Sequence, residues 1–182
     1  MNVLQGIFIT KINLPIKYRV ITFHVGKSMR IGIPLETKSG ESRVAATPET
    51  VKKLITAGHS LIIQSHAGVK ASIIDEAFTA AGATIGSATE VFNCDIVLKV
   101  RAPSDDELNQ MRPGTVLIGM LDPFDSATIN AMAGKQITAF ALEAAPRTTR
   151  AQSMDVLSSQ ANIAGYKAVM LAANTYQRFM PM

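Results

Sequence analysis

The stretch from residue 143 to 166, EAAPRTTRAQSMDVLSSQANIAGY, gathers two arginines, an aspartate, two glutamines and a run of hydroxyls in a chain of which only 18% is charged. Each arginine presents a fixed fork of donors that matches carboxylates and phosphates. The Gln152 amide both donates and accepts, and Asp155 can accept from a hydroxyl or steady an arginine. Together they could hold and orient a polar or anionic ligand. Each also has a plainer role open to it. Asp155 stands where a helical pattern begins, a place where a carboxylate favours the helix dipole. Arg147 and Arg150 fit solvated loop positions, Gln152 a turn, and Tyr166 a core aromatic. Spacing alone favours the plainer roles.

Other chemistries leave no mark. The sequence contains no G-x-G-x-x-G, complete phosphate loop, H-E-x-x-H or G-x-S-x-G. Gly26, Lys27 and Ser28 imitate the end of a phosphate loop, but Ile21 stands where its first glycine belongs. His24, His59 and His66 have no acidic or cysteine partners at metal-ligand spacing, so no metal site is expected. Cys94 is the single cysteine and cannot form an internal disulfide, which fits a reducing compartment.

The elements that must position the stretch are legible as alternating strands and helices. Strands are expected over 30–35, 60–64, 83–85, 95–100, 115–121 and 137–142. Thr47 caps a helix with Pro48 in its first position and Gly58 just past its end. Ser72 and Asp75 read as a capping box for the helix IIDEAFTAA, closed by Gly82, and Ser104 and Glu107 as another. A further helix around 125–133 ends at Gly134, and the longest helical pattern runs from Met154 to Gln177. Near-continuous apolar strands between helices predict an α/β fold, an open doubly wound, mostly parallel sheet of the flavodoxin/Rossmann-like kind ending in a long helix. Ligands of such sheets lie beyond the carboxyl ends of the strands. Four strand ends there carry charge: Glu36, Lys38, Glu41 and Arg43; Lys99 and Arg101; Asp122; and Glu143 with the stretch above. The turns at the opposite end (AGHS, AGAT, AGKQ) are mostly small and uncharged, which favours a functional rim.

Composition bounds the rest. A chain of 182 residues, 47% hydrophobic, suits one core. Lys11, Lys17, Arg19 and Lys27 lie in residues 1–28, which hold no acid and so account for the whole net charge of +4. The remainder is neutral, which removes support for a nucleic-acid partner. Residues 1–28 are interrupted by charge and Pro15 before any apolar run could span a bilayer. They read as an upstream extension, with Met29 as a plausible start.

The run MRIGIPLETKSGESRVAATPETVKKLITAGHSLIIQS resembles the N-terminal segment shared by alanine dehydrogenases and the alpha subunit of the proton-translocating NAD(P) transhydrogenase. The run ALEAAPRTTRAQSMDVLSSQANIAGYKAV is similar to the transhydrogenase branch specifically. The likeness covers residues 29–182. It implies that the opening loop lies over the nicotinamide of NAD(H) where that ring faces NADP(H) on another domain. Gln152 and Asp155 are then the expected catalytic residues, and Arg147, Gln152, Asp155, Ser158 and Tyr166 the expected cofactor-binding ones. Direct hydride transfer needs two rings in near-attack geometry, with the protein supplying orientation and electrostatics.

The resemblance further implies the rest of the alpha subunit and the beta subunit as partners, and a homodimer of the parent domain. It implies a peripheral position on the cytoplasmic side of the inner membrane. It also implies a following Gly-rich dinucleotide-binding domain, which this chain does not reach, so the terminal helix is expected to expose an apolar face. Departures from the alanine dehydrogenase pattern are specific. Arg43 and Lys99 are kept, Arg101 replaces a lysine, and Asp122 stands near the expected histidine. Loss of the imidazole removes a natural general acid for a carbonyl oxygen. An alanine-dehydrogenase-like oxidoreductase remains one alternative, binding a keto acid at Arg43, Lys99 and Arg101. A noncatalytic interaction or regulatory module is another.

Overall fold

The computed structural model describes residues 28–146 and 148–178. The expected extension, residues 1–28, therefore lies almost wholly outside the described residues, and so does Arg147.

Six strands form one all-parallel sheet in the order β3-β2-β1-β4-β5-β6. They are β1 (Arg30–Ile33), β2 (Ser60–Gln64), β3 (Thr84–Gly86), β4 (Ile96–Arg101), β5 (Val116–Met120) and β6 (Thr138–Ala141). Between them run α1 (Pro48–Thr56), α2 (Asp75–Ala80), α3 (Ala88–Phe92), α4 (Asp105–Gln110) and α5 (Ser126–Gly134), and α6 (Val156–Thr175) follows β6. The order reverses between β1 and β4, the point where such sheets open a crevice beyond their carboxyl ends.

The sheet forms because its strands bury side chains on both faces. Ile31, Ile33, Leu61, Ile63 and Phe78 pack one half of the core. Phe92, Val97, Leu108, Leu117, Leu121 and Met132 pack the other. Gly32 is needed where α3 lies against β1, because a Cβ there would stand 2.1 Å from the Val91 carbonyl oxygen.

Helix starts mostly follow the local chemistry. Thr47 Oγ1 accepts from Thr50 N at 3.3 Å, with Pro48 next in the chain, as expected. Ser104 and Glu107 form their capping box. The Ser72–Asp75 box does not form. Ser72 takes a left-handed conformation, φ 62°, closing a 3-10 turn over Val69–Ala71, and the helix begins at Asp75. The Asp75 carboxylate turns back to accept from Ser65 Oγ and His66 N at 3.1 and 3.0 Å. A box does form at Ser87 and Glu90, opening α3, a helix the sequence reading passed over. Gly134 is the last residue of α5, and the positive φ that follows falls on Gln136.

Candidate functional site

The carboxyl rim carries two linked charge clusters. In the first, Lys99 Nζ donates to Glu107 Oε1 at 2.9 Å and faces Glu36 Oε2 at 3.4 Å. These three side chains are 1%, 7% and 2% exposed. Glu36 Oε1 accepts from Val100 N at 2.6 Å, fastening the exit of β1 to the end of β4. Glu107 Oε2 meanwhile accepts from Ser104 N at 2.8 Å, so one carboxylate serves both the α4 cap and the buried lysine. In the second cluster, Glu41 receives Arg43 Nε at 2.7 Å, Arg43 Nη2 at 2.5 Å and Arg101 Nε at 2.9 Å. The Arg43 guanidinium beside it, its backbone N–H and Arg101 outweigh the cost of burial and hold the Glu41 carboxyl down at about 2. The same carboxylate pushes Arg43 upward. Arg43 Nη1 remains, and donates to Gln160 Oε1 on α6 at 2.6 Å.

Beyond β6 the chain makes a 3-10 turn over Leu142–Ala144 and another over Thr149–Met154, then enters α6. Ala151 is buried and anchors the second turn, leaving Gln152 exposed beside it. Asp155 caps α6, accepting from Ser158 N at 3.0 Å and Ser158 Oγ at 2.6 Å. An open hollow of about 240 Å³ lies against this loop, lined by Leu142, Glu143, Pro146, Gln152, Asp155 and Leu157 among others. Glu143 Oε1 accepts from Asp122 N at 2.7 Å, which ties the loop after β5 to the hollow. Glu143 Oε2 is buried without a hydrogen-bond partner among the described residues.

Of the residues expected at the site, Gln152 and Asp155 line the hollow. Ser158 is bonded to Asp155 as part of the helix cap. Tyr166 is 70% exposed, roughly 16 Å along α6 from the cap at 1.5 Å per residue. Its core reading is therefore excluded. The hollow, at about 240 Å³, is smaller than the roughly 300–1,000 Å³ of small-molecule pockets.

Sequence reasoning named Lys99, Glu41, Arg43 and Arg101 on the rim without finding their pairings. Gln160 leaves no local signal as a partner of Arg43 because 117 positions separate them, and Glu107, 8 positions from Lys99, is visible only as the partner of Ser104 in the α4 cap. The Cys94 thiol is buried, and burial pushes its pKa up, so it is a packing residue rather than a nucleophile. Among the described residues no group of His, Cys, Asp and Glu could hold a metal ion, and no helix is long and apolar enough to cross a membrane.

Residues 32–164 match the family model described as alanine dehydrogenase/PNT, N-terminal domain. The chain is 43% identical over 152 residues to NAD(P) transhydrogenase subunit alpha of Haemophilus influenzae, covering 83% of this chain and 30% of that protein. It is 44% identical over 154 residues to NAD(P) transhydrogenase subunit alpha of Cereibacter sphaeroides, covering 83% and 29%. The crystal structure of transhydrogenase from Sinorhizobium meliloti is similar with a TM-score of 0.81 at 46% identity, covering 84% of this chain and 46% of that one. The chain thus spans less than half the length of these relatives. A family match over most of the chain, joined to the structural likeness, makes this chain a member of the alanine dehydrogenase/PNT N-terminal domain family.

Proposed function

We propose that this chain is the N-terminal portion of an NAD(P) transhydrogenase alpha subunit, and that its loop 142–157 presents the nicotinamide end of NAD(H) for hydride transfer to or from NADP(H) on a partner domain. One observation carries the reading: Gln152 and Asp155 meet at a single hollow on the carboxyl rim, beside a buried carboxylate oxygen that lacks a donor among the described residues. NAD(H), when bound, supplies the carbon that gives or receives hydride. This chain's task is orientation. The Gln152 amide, on the exposed side of a turn anchored by Ala151, can both donate and accept towards carboxamide or ribose groups. Asp155, fixed by the α6 cap, presents charge at a set position.

In the assembled enzyme the reaction is coupled to proton translocation, with the rest of the alpha subunit and the beta subunit as partners, and this chain is a peripheral portion on the cytoplasmic side of the membrane. The adenosine and pyrophosphate fall to a dinucleotide-binding segment beyond the matched region.

The test is Gln152→Ala and Asp155→Asn in the assembled transhydrogenase. Asparagine is a good helix cap, so the second change removes charge while sparing α6. Hydride transfer is expected to fall about tenfold or more, the factor that ~1.4 kcal/mol represents, with NADH affinity changed by well under that factor. Equal losses in both quantities would show that the loop supplies affinity alone and would overturn the orienting role.

A keto-acid site at Arg43, Lys99 and Arg101 has weaker support, since all three cations are already engaged by Glu36, Glu41 and Glu107.

A further inference from the structure

The loop bearing Gln152 and Asp155 runs into a helix with little beneath it. Within α6 only Val156 and Gln160 are less than exposed. The helix rests on the turn at Leu142–Ala144. Among the described residues, the one side-chain hydrogen bond joining α6 to the sheet rim is Arg43 Nη1 to Gln160 Oε1, 2.6 Å long and spanning 117 positions.

Arg43 is rigid enough to act as an anchor. Two of its nitrogens are held by Glu41 at 2.7 and 2.5 Å, and Glu41 also receives Arg101. Nη1, not bonded to Glu41, reaches outward to Gln160. Gln160 lies five positions past the cap residue, roughly 7.5 Å along the axis. Because Asp155 is bonded to the first turn of α6, the direction of the helix fixes the direction in which the cap faces.

We propose that Arg43, clamped by Glu41, is a positioning residue: through Gln160 it sets the direction of α6 and thereby the aim of Gln152 and Asp155 at the hollow. The catalytic consequence rests on reading the hollow as the nicotinamide-facing site; the mechanical link does not.

Two variants of Gln160 test it, Gln160→Leu, which removes the acceptor, and Gln160→Glu, which keeps it and adds charge. In amide hydrogen exchange of the 182-residue chain, Gln160→Leu is expected to speed exchange over residues 149–160 about tenfold, the factor that ~1.4 kcal/mol represents. The strands keep their rates, and Gln160→Glu stays at or below the unsubstituted rate. In the assembled transhydrogenase, Gln160→Leu lowers maximal hydride transfer at saturating nucleotide with NADH affinity little changed, and Gln160→Glu restores it. Unchanged exchange in Gln160→Leu overturns the link. Equal loss of transfer in both variants overturns the positioning role. If Gln152→Ala leaves transfer intact, the functional reading fails while the exchange result still decides the link. If Gln152→Ala lowers transfer and Gln160→Leu does not, positioning fails alone.

Discussion

Replacing Lys99 with methionine tests whether the first rim cluster is a closed structural unit. The substitution keeps an unbranched chain of similar girth and deletes the cation between Glu36 and Glu107. Both carboxylates are buried, and their other contacts, Val100 N at 2.6 Å and Ser104 N at 2.8 Å, keep them facing inward. Breaking a buried ion pair by removing one partner costs about 3–5 kcal/mol. For a domain of this size each kcal/mol moves the melting temperature about 2–4 °C, so a drop of roughly 6–20 °C is expected near pH 7. Without the lysine the two buried carboxylates are left to repel each other with no cation between them. Adding Glu107→Gln to Lys99→Met relieves the repulsion, and Gln still suits the third position of a capping box, so the double variant should be more stable than Lys99→Met alone. Urea unfolding near pH 7 is the assay. A loss under about 1 kcal/mol would refute the closed triad and leave Lys99 a solvated cation.

The second cluster governs acid stability. Glu41 sits at about 2 against an ordinary 4.5, so its contribution is present above about pH 4.5 and drains away as pH falls towards 2. Glu41→Gln should lower stability at pH 7 and flatten that acid limb, as followed by circular dichroism. Gly32→Ala should destabilise by about 1–3 kcal/mol or more, because its methyl would collide with the Val91 backbone of α3. Gly134→Ala, in α5 with open space around the new methyl, should instead be neutral or gain up to about 1 kcal/mol. Thermal melts of the two variants side by side separate packing from backbone entropy, and a shift of the same sign in both would contradict the packing account.

What the sequence made legible was local or periodic. All six strands announce themselves as apolar runs, and the α1 cap follows from Thr47 and Pro48 because those residues act within one turn. The Ser72–Asp75 pattern misled because an upstream neighbour, the loop at Ser65 and His66, captured the Asp75 carboxylate first. The Ser87–Glu90 signal was present but opened a helix of only five residues, too short for a hydrophobic period to reinforce it. The charges of the rim were visible as residue types. Their pairing was not, since Lys99 meets Glu36, and Arg43 meets Gln160, only after the sheet has closed. The expected apolar exposure of the final helix is seen at Ile163, Val169, Met170 and Leu171, none of which touches the sheet core.

Glu41 can be viewed as a tethered competitive inhibitor. It stands two positions before Arg43 and is ionised at any pH above about 2. A group attached so closely acts at an effective concentration on the order of millimolar or higher. A metabolite carboxylate seeking the two arginines at the strand crossover must displace this attached rival, and at sub-millimolar concentration mass action favours the rival. The two arginines at the crevice where a sheet of this order would ordinarily receive its ligand are thus already engaged from within. The open position is left at the far edge, beside β6.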